Sequence, residues 1–275
     1  MLSKAIAALA LAAPAFVSAQ TFTACNPLEK TCPADPAFGK ETVHCDFTKG
    51  GCHAFEEDGG TDLEHNGNGG VFTIDGLGQA PTIATGKYIF FGRIDVEMQA
   101  APGQGIVTSA VLQSDDLDEI DWEWLGGDNT QVQSNYFSKG DVSTYDRGGF
   151  HPVENPIGQF HVYSIEWTPR FINWIIDDTV VRTLNYADAK GGSAFPQTPM
   201  QVKLGTWIAG RPDAEPGTIA WAGGLAEFSQ GPFSAYYKSI SIVDYAGGDA
   251  PTTKTVKEYV YGDRSGRYES IKLVA

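Results

Sequence analysis

The fold of this 275-residue chain is indicated most clearly by one segment, Asp118-Glu119-Ile120-Asp121-Trp122-Glu123-Trp124. Acidic and large apolar residues alternate along it, which is the period of a β-strand, because successive side chains on a strand point to opposite faces. Glu119, Asp121 and Glu123 therefore share one face, and the isoleucine and two tryptophans share the other. The apolar face requires a core, so the segment predicts a strand that carries three carboxylates on its outer face.

The same alternation recurs in short runs before and after this segment, bounded by Gly, Asp, Asn and Pro, and helical periodicity is almost absent. Two hairpins are clear, one turning at Gly126–Asn129 and one at Asp177-Asp178. Short strands with tight turns predict an all-β chain, folded as a sandwich of two antiparallel sheets. The predicted strands are Tyr88–Met98, Gly105–Gln113, Glu119–Leu125, Gln131–Phe137, His161–Trp167, Arg170–Ile176, Thr179–Leu184, Gln201–Thr206 and Tyr236–Val243.

No repeat or linker divides the central part of the chain, so we predict one domain, residues 20–246. Residues 247–275 have the composition of a polar C-terminal tail. This tail could pack back through Tyr259, Tyr261 and Ile271 or fray, and the sequence leaves both open. No long apolar stretch follows it, so no lipid-anchor signal is visible in this sequence.

Residues 1–19 are typical of a secretory signal peptide. Lys4 supplies the positive start, Ala5–Ala13 a short apolar core, and Val17-Ser18-Ala19 a cleavage site of small residues. The apolar core is too short to span a bilayer, and a buried N-terminal helix is the alternative. We therefore expect a secreted protein.

The four cysteines follow the predicted cleavage site closely and agree with export; they are Cys25, Cys32, Cys45 and Cys52. Three pairings are open. We favour Cys25–Cys32 and Cys45–Cys52, because each closes a short loop of Pro, Gly and polar residues. A zinc site is the alternative, but the spacing lacks the paired two-residue gaps of a zinc ribbon.

Acidic residues outnumber basic ones, with 34 Asp and Glu against 19 Lys and Arg. No run of Lys or Arg could follow a phosphate backbone, so nucleic acid is not an expected partner. The acidic surface also disfavours anionic membranes and suits a neutral ligand rich in hydroxyls. We expect a monomer that needs neither a cofactor nor a metal ion.

The three carboxylates of the central strand repel one another, so they are better suited to acid–base chemistry than to stability. The Cα atoms of Glu119 and Glu123 would lie roughly 13 Å apart on a strand. Side chains that lean together could reach the retaining carboxyl separation of about 5–5.5 Å, and the wider inverting separation stays open. One would be the nucleophile and the other the general acid and base, with Asp121 setting their charge states. A solvated strand face and a Ca²⁺ site are the alternatives.

The segment Asp118–Gly126 resembles the signature of glycoside hydrolase family 16, which includes lichenases and plant xyloglucan transglycosylases. Further segments resemble the fungal Crh branch of that family, and the match covers about residues 20–245. These segments are Cys25-Asn26-Pro27, Thr31–Ala37, Gln133–Gly140 and Ile219–Gly224.

The resemblance implies a concanavalin-like β-jelly-roll sandwich, a concave cleft for a linear β-glycan, and double displacement with retention. It makes Glu119 the nucleophile, Asp121 its helper, and Glu123 the acid and base. Crh proteins are linked to moving chitin onto β-1,3-glucan, β-1,6-glucan or other chitin chains, which crosslinks the fungal cell wall. We therefore expect a transglycosylase with these glycans as partners, located in the fungal cell wall.

Four further residues are expected to contact substrate. Gln133 and Asn135 share a face of the next strand, where hairpin pairing places them beside the carboxylates, and Asn135 could hold a catalytic Glu. Simple solvated polar residues are the alternative. Trp207 and Trp221 match aromatic cleft positions of the family, where flat rings stack on the C–H faces of sugars. Burial of both in the core is the alternative.

Both transfer and hydrolysis begin with the same glycosyl-enzyme. Transfer is favoured when an acceptor sugar is held in near-attack geometry, and Trp221 is the candidate platform for it. This preference rests on the resemblance, so a plain β-glucanase or chitinase and a non-catalytic lectin are the alternatives. We also expect the pKa of Glu123 to exceed that of a free Glu because ionised Glu119 is close. The pH profile should then be bell-shaped, with an optimum on the acid side of neutral.

Overall fold

The computed structural model describes residues 22–275, so the predicted signal peptide lies outside the described residues. Within this range the chain forms β-strands with little helix, and no helix in it is long and apolar enough to cross a membrane. The strands are β1 (Asp35–Pro36), β2 (Thr42–Asp46), β3 (Phe55–Glu57), β4 (Glu64–Asn66), β5 (Gly69–Ile74), β6 (Thr82–Thr85), β7 (Gly92–Gln99), β8 (Ile106–Ser114), β9 (Glu119–Leu125), β10 (Gln131–Phe137), β11 (Gly149–Pro152), β12 (His161–Trp167), β13 (Phe171–Ile176), β14 (Thr179–Asn185), β15 (Met200–Ile208), β16 (Phe233–Asp244), β17 (Glu258–Tyr261) and β18 (Ile271–Val274). The helical segments are α1 (Pro216–Trp221) and the 3₁₀ turns Phe47–Lys49, Tyr186–Asp188, Lys190–Gly192, Phe228–Gln230 and Tyr268–Ser270.

Two large antiparallel sheets form the sandwich. The front sheet has the order β11-β10-β9-β8-β15-β6-β3, and the back sheet has the order β14-β13-β12-β7-β16-β5-β4, with β2 also paired to β16. A third sheet, β1-β17-β18, joins the beginning and end of the described chain. The all-β, antiparallel expectation is confirmed, and the carboxylate strand β9 lies inside the front sheet with a strand on each side.

The predicted strands agree well with the observed ones, and β9, β10 and β12 have the expected bounds. Both hairpins also form as predicted, and Asp177 and Asp178 take the positive φ angles, 45° and 64°, that tight hairpin turns require. The largest error is at β7, which begins at Gly92 and not at Tyr88. Phe91 has a φ of 56°, so the chain turns there before the strand begins.

Sequence analysis missed several strands, namely β1 to β6, β11, β17 and β18. Most of these have fewer than six residues and lie among Gly, Pro and Asp, where alternation is too brief to detect. Their partners lie far away in the sequence. β3, for example, pairs with β6, and β2 pairs with β16.

The core between the sheets fixes the position of β9. Trp122 and Trp124 are fully buried, and the ring of Tyr163 on β12 contacts both, with centroids 5.8 and 4.6 Å away. The Nε1 of Trp122 donates to the carbonyl of Ser164 at 3.2 Å, and the Nε1 of Trp174 donates to the carbonyl of Asp121 at 3.0 Å. These bonds join β9 to the back sheet from both directions.

The start of β9 is held by the buried carboxylate of Asp118. It accepts hydrogen bonds from the Ser138 hydroxyl at 2.8 Å and from the backbone amides of Lys139 and Gln197 at 3.0 and 2.7 Å. Asp118 thus ties together the loops that flank the strand, which leaves Glu119 as the first residue with its side chain on the outer face.

The tail is ordered, which settles the alternative that the sequence left open. Tyr259 on β17 is fully buried and donates its hydroxyl proton to the Asp244 carboxylate at the end of β16. The same carboxylate accepts the amides of Gly39 at 2.7 Å, Phe90 at 3.0 Å and Ala246 at 2.8 Å. One buried side chain therefore joins the N-terminal segment, the approach to β7 and the tail.

The cysteines form the two disulfides that the sequence favours, Cys25–Cys32 and Cys45–Cys52, with Cα separations of 5.8 and 5.6 Å. Cys45 lies on β2, so its disulfide fixes the loop that follows this strand to the edge of the back sheet.

Tyr259→Ala should lower the free energy of unfolding by about 3 kcal/mol or more, because it leaves a cavity and removes a donor from buried Asp244. Leu273→Ala, on the neighbouring strand β18 and 42% exposed, should change it by less than about 1 kcal/mol. Urea denaturation measures both. Equal, small effects would mean that the tail frays in solution.

Candidate active site

The outer face of the front sheet presents the three carboxylates in register with polar residues on the neighbouring strands. Directly paired residues of antiparallel strands share a face, so the pairing shows which side chains meet. Read from β10 through β9 to β8, the rows are Gln133–Glu123–Ser109, Asn135–Asp121–Val111 and Phe137–Glu119–Gln113. This pairing places Gln133 and Asn135 beside the carboxylates, as the sequence predicts.

All three carboxylates are buried, with Glu119, Asp121 and Glu123 exposing 1%, 0% and 5% of their surface. A solvated strand face, one of the alternatives from sequence, is therefore wrong. Among residues 22–275, no group of three or more His, Cys, Asp or Glu side chains is arranged to hold a metal ion. Adjacent buried carboxylates favour sharing of protons, because several negative charges close together in a dry environment are costly.

The pKa of Glu119 is raised well above its ordinary value, first by burial and then by the negative charges of Asp121 and Glu123. Burial also raises the pKa of Asp121 to about 7, although a hydrogen bond with Glu119 and the positive charge of Arg182 oppose the rise. The same hydrogen bond raises the pKa of Glu119, so the two carboxyls share a proton that Glu119 holds more strongly. Such a pair can leave Glu119 ionised when the proton moves to its neighbour.

The pKa of Glu123 is likewise raised well above its ordinary value. The direction agrees with the expectation from sequence, but the cause differs. Burial is the largest contribution, and the charge that adds to it belongs to Asp121 and not to Glu119. Asp121 lies between the two glutamates on the strand, so it raises the pKa of both.

Two residues that sequence analysis missed hold Glu119. The Gln113 amide Nε2 donates to the Glu119 carboxylate at 3.1 Å, and its Oε1 accepts from the Lys203 ammonium at 2.7 Å. Lys203 therefore sets which end of the amide faces Glu119, because only the NH₂ end can donate. Gln113 pairs with Glu119 across the short turn between β8 and β9, so local strand pairing could have found it. Lys203 lies on β15, which neighbours β8 in the sheet but is far from it in sequence, so no local pattern indicates it.

Trp207 and Trp221 lie on the site side of the front sheet, partly buried, and outside the main core between the sheets. Their rings stack with centroids 6.1 Å apart. Trp207 Nε1 donates to the Ser109 hydroxyl at 3.0 Å, and Trp221 Nε1 donates to Gln133 Oε1 at 2.9 Å. Ser109 and Gln133 flank Glu123 in its row, so both tryptophans are fixed next to this carboxylate.

Asn135 lies opposite Asp121, and its Oδ1 accepts the backbone amide of Tyr136 at 2.9 Å. No hydrogen bond joins its side chain to Glu119 or Glu123 among the described residues. The structure therefore gives Asn135 a place beside the carboxylates but not the expected contact with a catalytic Glu.

Comparison with known proteins agrees with this geometry. Residues 46–223 match the sequence model of glycosyl hydrolases family 16. The chain belongs to this family. The matched segment contains β9, the residues on β8 and β10 that pair with it, Trp207 and Trp221. It also contains Lys203 and Gln113, whose hydrogen bonds lead to Glu119.

Named relatives of this family 16 chain are Crh-like proteins. It is 50% identical to Crh-like protein 5 of Aspergillus fumigatus over 97% of this chain and 65% of that protein. It is 46% identical to Crh-like protein 2 of Botryotinia fuckeliana over 94% of this chain and 56% of that protein. The chain thus spans between about half and two thirds of the length of these curated relatives.

Solved structures of family 16 share the fold. A Crh5 transglycosylase in complex with NAG superposes with a TM-score of 0.85 at 50% identity, covering 91% of this chain and all of that one. A Bacillus licheniformis beta-glucanase superposes with a TM-score of 0.61 at 19% identity, covering 73% of this chain and 97% of that one, which shows the fold alone. The β-jelly-roll expectation is confirmed.

Asp121→Asn tests how the carboxylates influence one another. It removes a negative charge that raises the pKa of both Glu119 and Glu123, so both pKa values should fall. Both limbs of the profile of kcat/KM against pH should then move to lower pH. Asp128→Asn is the matched control and should move neither limb, because this partly buried carboxylate in the turn after β9 accepts hydrogen bonds from Thr130 and Gln131 and from no catalytic residue. A loss of rate with unmoved limbs would contradict the arrangement.

The same variant has a stability readout. The pKa of Asp121 is about 7 in the folded protein and 3.8 ordinarily, so the folded state binds this proton more tightly. Wild-type stability should therefore fall as pH rises from about 4 to about 7, and Asp121→Asn should lack this part of the fall. Urea unfolding at several pH values measures the difference.

Gln113→Leu tests the hold on Glu119. Its hydrogen bond lowers the pKa of Glu119, so its loss should move the acid limb of the kcat/KM profile to higher pH. Lys203→Met should act in the same direction through Gln113. Gln201→Leu is the control, because its amide donates to the Thr85 carbonyl and not to a carboxylate. An acid limb that shifts equally in all three variants would rule out a specific role for Gln113.

Proposed function

We propose that this protein is a retaining transglycosylase of the fungal cell wall, with Glu119 as nucleophile, Glu123 as general acid and base, and Asp121 as their helper. The observation that carries the proposal is the arrangement on β9. Three buried carboxyls lie on one face, and the middle one raises the pKa of both neighbours. A pair of carboxyls kept in different protonation states is what glycoside cleavage requires.

In the first step, ionised Glu119 attacks the anomeric carbon of the donor glycan while protonated Glu123 gives its proton to the departing oxygen. The glycosidic bond breaks, and a glycosyl ester forms on Glu119. Asp121 takes up the proton that would otherwise neutralise Glu119, and the Gln113 amide donates a hydrogen bond to the Glu119 carboxylate. Glu123 is left ionised and becomes a base.

In the second step, Glu123 removes a proton from an incoming hydroxyl, which attacks the anomeric carbon and releases Glu119. Each of the two steps inverts the configuration at the anomeric carbon, so the reaction as a whole retains it. If the hydroxyl belongs to a sugar, the result is transfer. If it belongs to water, the result is hydrolysis. The stacked Trp207 and Trp221 beside Glu123 favour transfer in this proposal, because an acceptor sugar resting on them has a high effective concentration.

The donor that we propose is chitin, and the acceptors are β-1,3-glucan, β-1,6-glucan or a second chitin chain. Two comparisons support this choice, the Crh-like relatives and the structural match to a Crh5 transglycosylase in complex with NAG. We further propose a secreted monomer in which Gln133, Asn135, Trp207 and Trp221 contact the glycan. The two disulfides suit an extracellular location.

Hydrolysis without transfer is the competing activity, because the beta-glucanase that shares this fold acts within the same framework. Incubating chitin oligosaccharides with a fluorescent β-1,3-glucan oligosaccharide separates the two. The proposal expects labelled products that are longer than the acceptor, identified by mass spectrometry. Shortened, unlabelled products alone at saturating acceptor would establish the hydrolase.

Glu119→Gln should reduce product formation by about 10³-fold or more while the protein still binds glycan. Glu64→Gln, on β4 of the back sheet and exposed, is the matched control and should retain full activity. Product formation that persists in the Glu119 variant would exclude Glu119 as the nucleophile.

A further inference from the structure

An exposed aromatic ring lies in line with the carboxylates at the edge of the front sheet. Phe150 on β11 pairs with Gln133, and Gln133 pairs with Glu123, so the three side chains share the outer face. The next residue, His151, points to the opposite face, where its ring contacts Trp122 with centroids 5.7 Å apart. Phe150 is 60% exposed and contacts no other aromatic ring among the described residues.

The position of Phe150 matches the path of a glycan that leaves the carboxylates sideways. Two strand spacings separate β11 from β9, so Phe150 is about 10 Å from Glu123, the length of about two β-linked sugars. Gln133 lies between them and accepts the Trp221 indole proton at 2.9 Å. A continuous surface of aromatic and amide groups thus extends from Trp221 to the edge of the sheet.

A second exposed aromatic residue borders the same edge. Tyr145, 77% exposed, contacts the ring of Phe137 with centroids 6.4 Å apart, and Phe137 lies directly opposite Glu119 on the outer face. The loop that carries Tyr145 connects β10 to β11. It is held by Arg147, whose guanidinium lies 5.5 Å from the Phe137 ring and donates to the Asp141 carbonyl at 2.8 Å.

Arg147 supports this edge from inside the protein. Its side chain is buried, and the rings that its guanidinium contacts, Tyr136 and Phe137, are buried as well. The groups that this edge presents to solvent include the two exposed aromatic rings, and the C–H faces of a sugar stack on flat rings of this kind.

We propose that Phe150 forms a sugar-binding subsite at the β11 edge, which holds the part of a β-glycan that extends beyond Glu123. This inference rests on the proposed function and deepens it. The subsite makes the enzyme sensitive to glycan length, because only a chain long enough to reach the edge gains the contact.

Phe150→Ala tests the subsite with two series of oligosaccharides, donors of increasing length with a fixed acceptor and acceptors of increasing length with a fixed donor. In the series whose varied chain reaches the β11 edge, the ratio of kcat/KM for long to short chains should fall about three- to tenfold. Phe150→Tyr keeps the ring and should restore the ratio. Val180→Ala, at an exposed apolar position of β14 in the back sheet, is the control and should keep the wild-type ratio.

An unchanged ratio in both series would overturn the subsite. So would an equal loss at every length together with a lowered melting temperature, since this would make Phe150 structural. If the wild-type protein sediments as a dimer and Phe150→Ala converts it to a monomer, Phe150 binds a second copy of the chain and not a glycan. Wild-type protein inactive on every pair of glycans would instead refute the proposed function itself.

Discussion

The site depends on the strict alternation of side chains along β9. The two tryptophans of this strand are buried against Tyr163 in the core, and the three carboxyls between and beside them project to the outer face. A slip of one residue would exchange the two sets, placing carboxylates in the core and indoles in the site. Hydrogen bonds from Trp122 to the Ser164 carbonyl and from Trp174 to the Asp121 carbonyl oppose such a slip.

Because β9 is fixed in this way, the front sheet can keep three carboxyl groups in a buried environment that disfavours their ionised forms. Burial raises the pKa of all three, which means that the ionised forms cost stability at neutral pH. Arg182 offsets a part of this cost, because its positive charge lowers the pKa of Asp121. The guanidinium of Arg182 lies 4.6 Å from the centre of the Trp174 ring, and this contact keeps it fixed on the core side. Stability sacrificed at a site in this way is common where function requires a strained charge state.

The surroundings of the carboxylates divide into two kinds of contact. On one side of β9, Gln113 and Lys203 orient Glu119 by hydrogen bonds whose donors are fixed. On the other side, Gln133, Trp221 and Phe150 present amide and aromatic surface that has little effect on charge. The first set suits control of the reaction, and the second suits recognition of a neutral, hydroxyl-rich chain.

The sequence by itself determined the class of fold, the bounds of β9, β10 and β12, both hairpins, and the row of three carboxyls, because alternation and turn residues act over a few neighbours. It also placed Gln133 and Asn135 correctly, because a hairpin makes the pairing of adjacent strands local. Only the tertiary structure decided that the carboxyls are buried, that the charge of Asp121 raises the pKa of Glu123, that Lys203 reaches Glu119 through Gln113, and that Phe150 lies on the same face. Those relations come from strands that pair across long stretches of chain and from the exclusion of water, and neither is written in a local pattern.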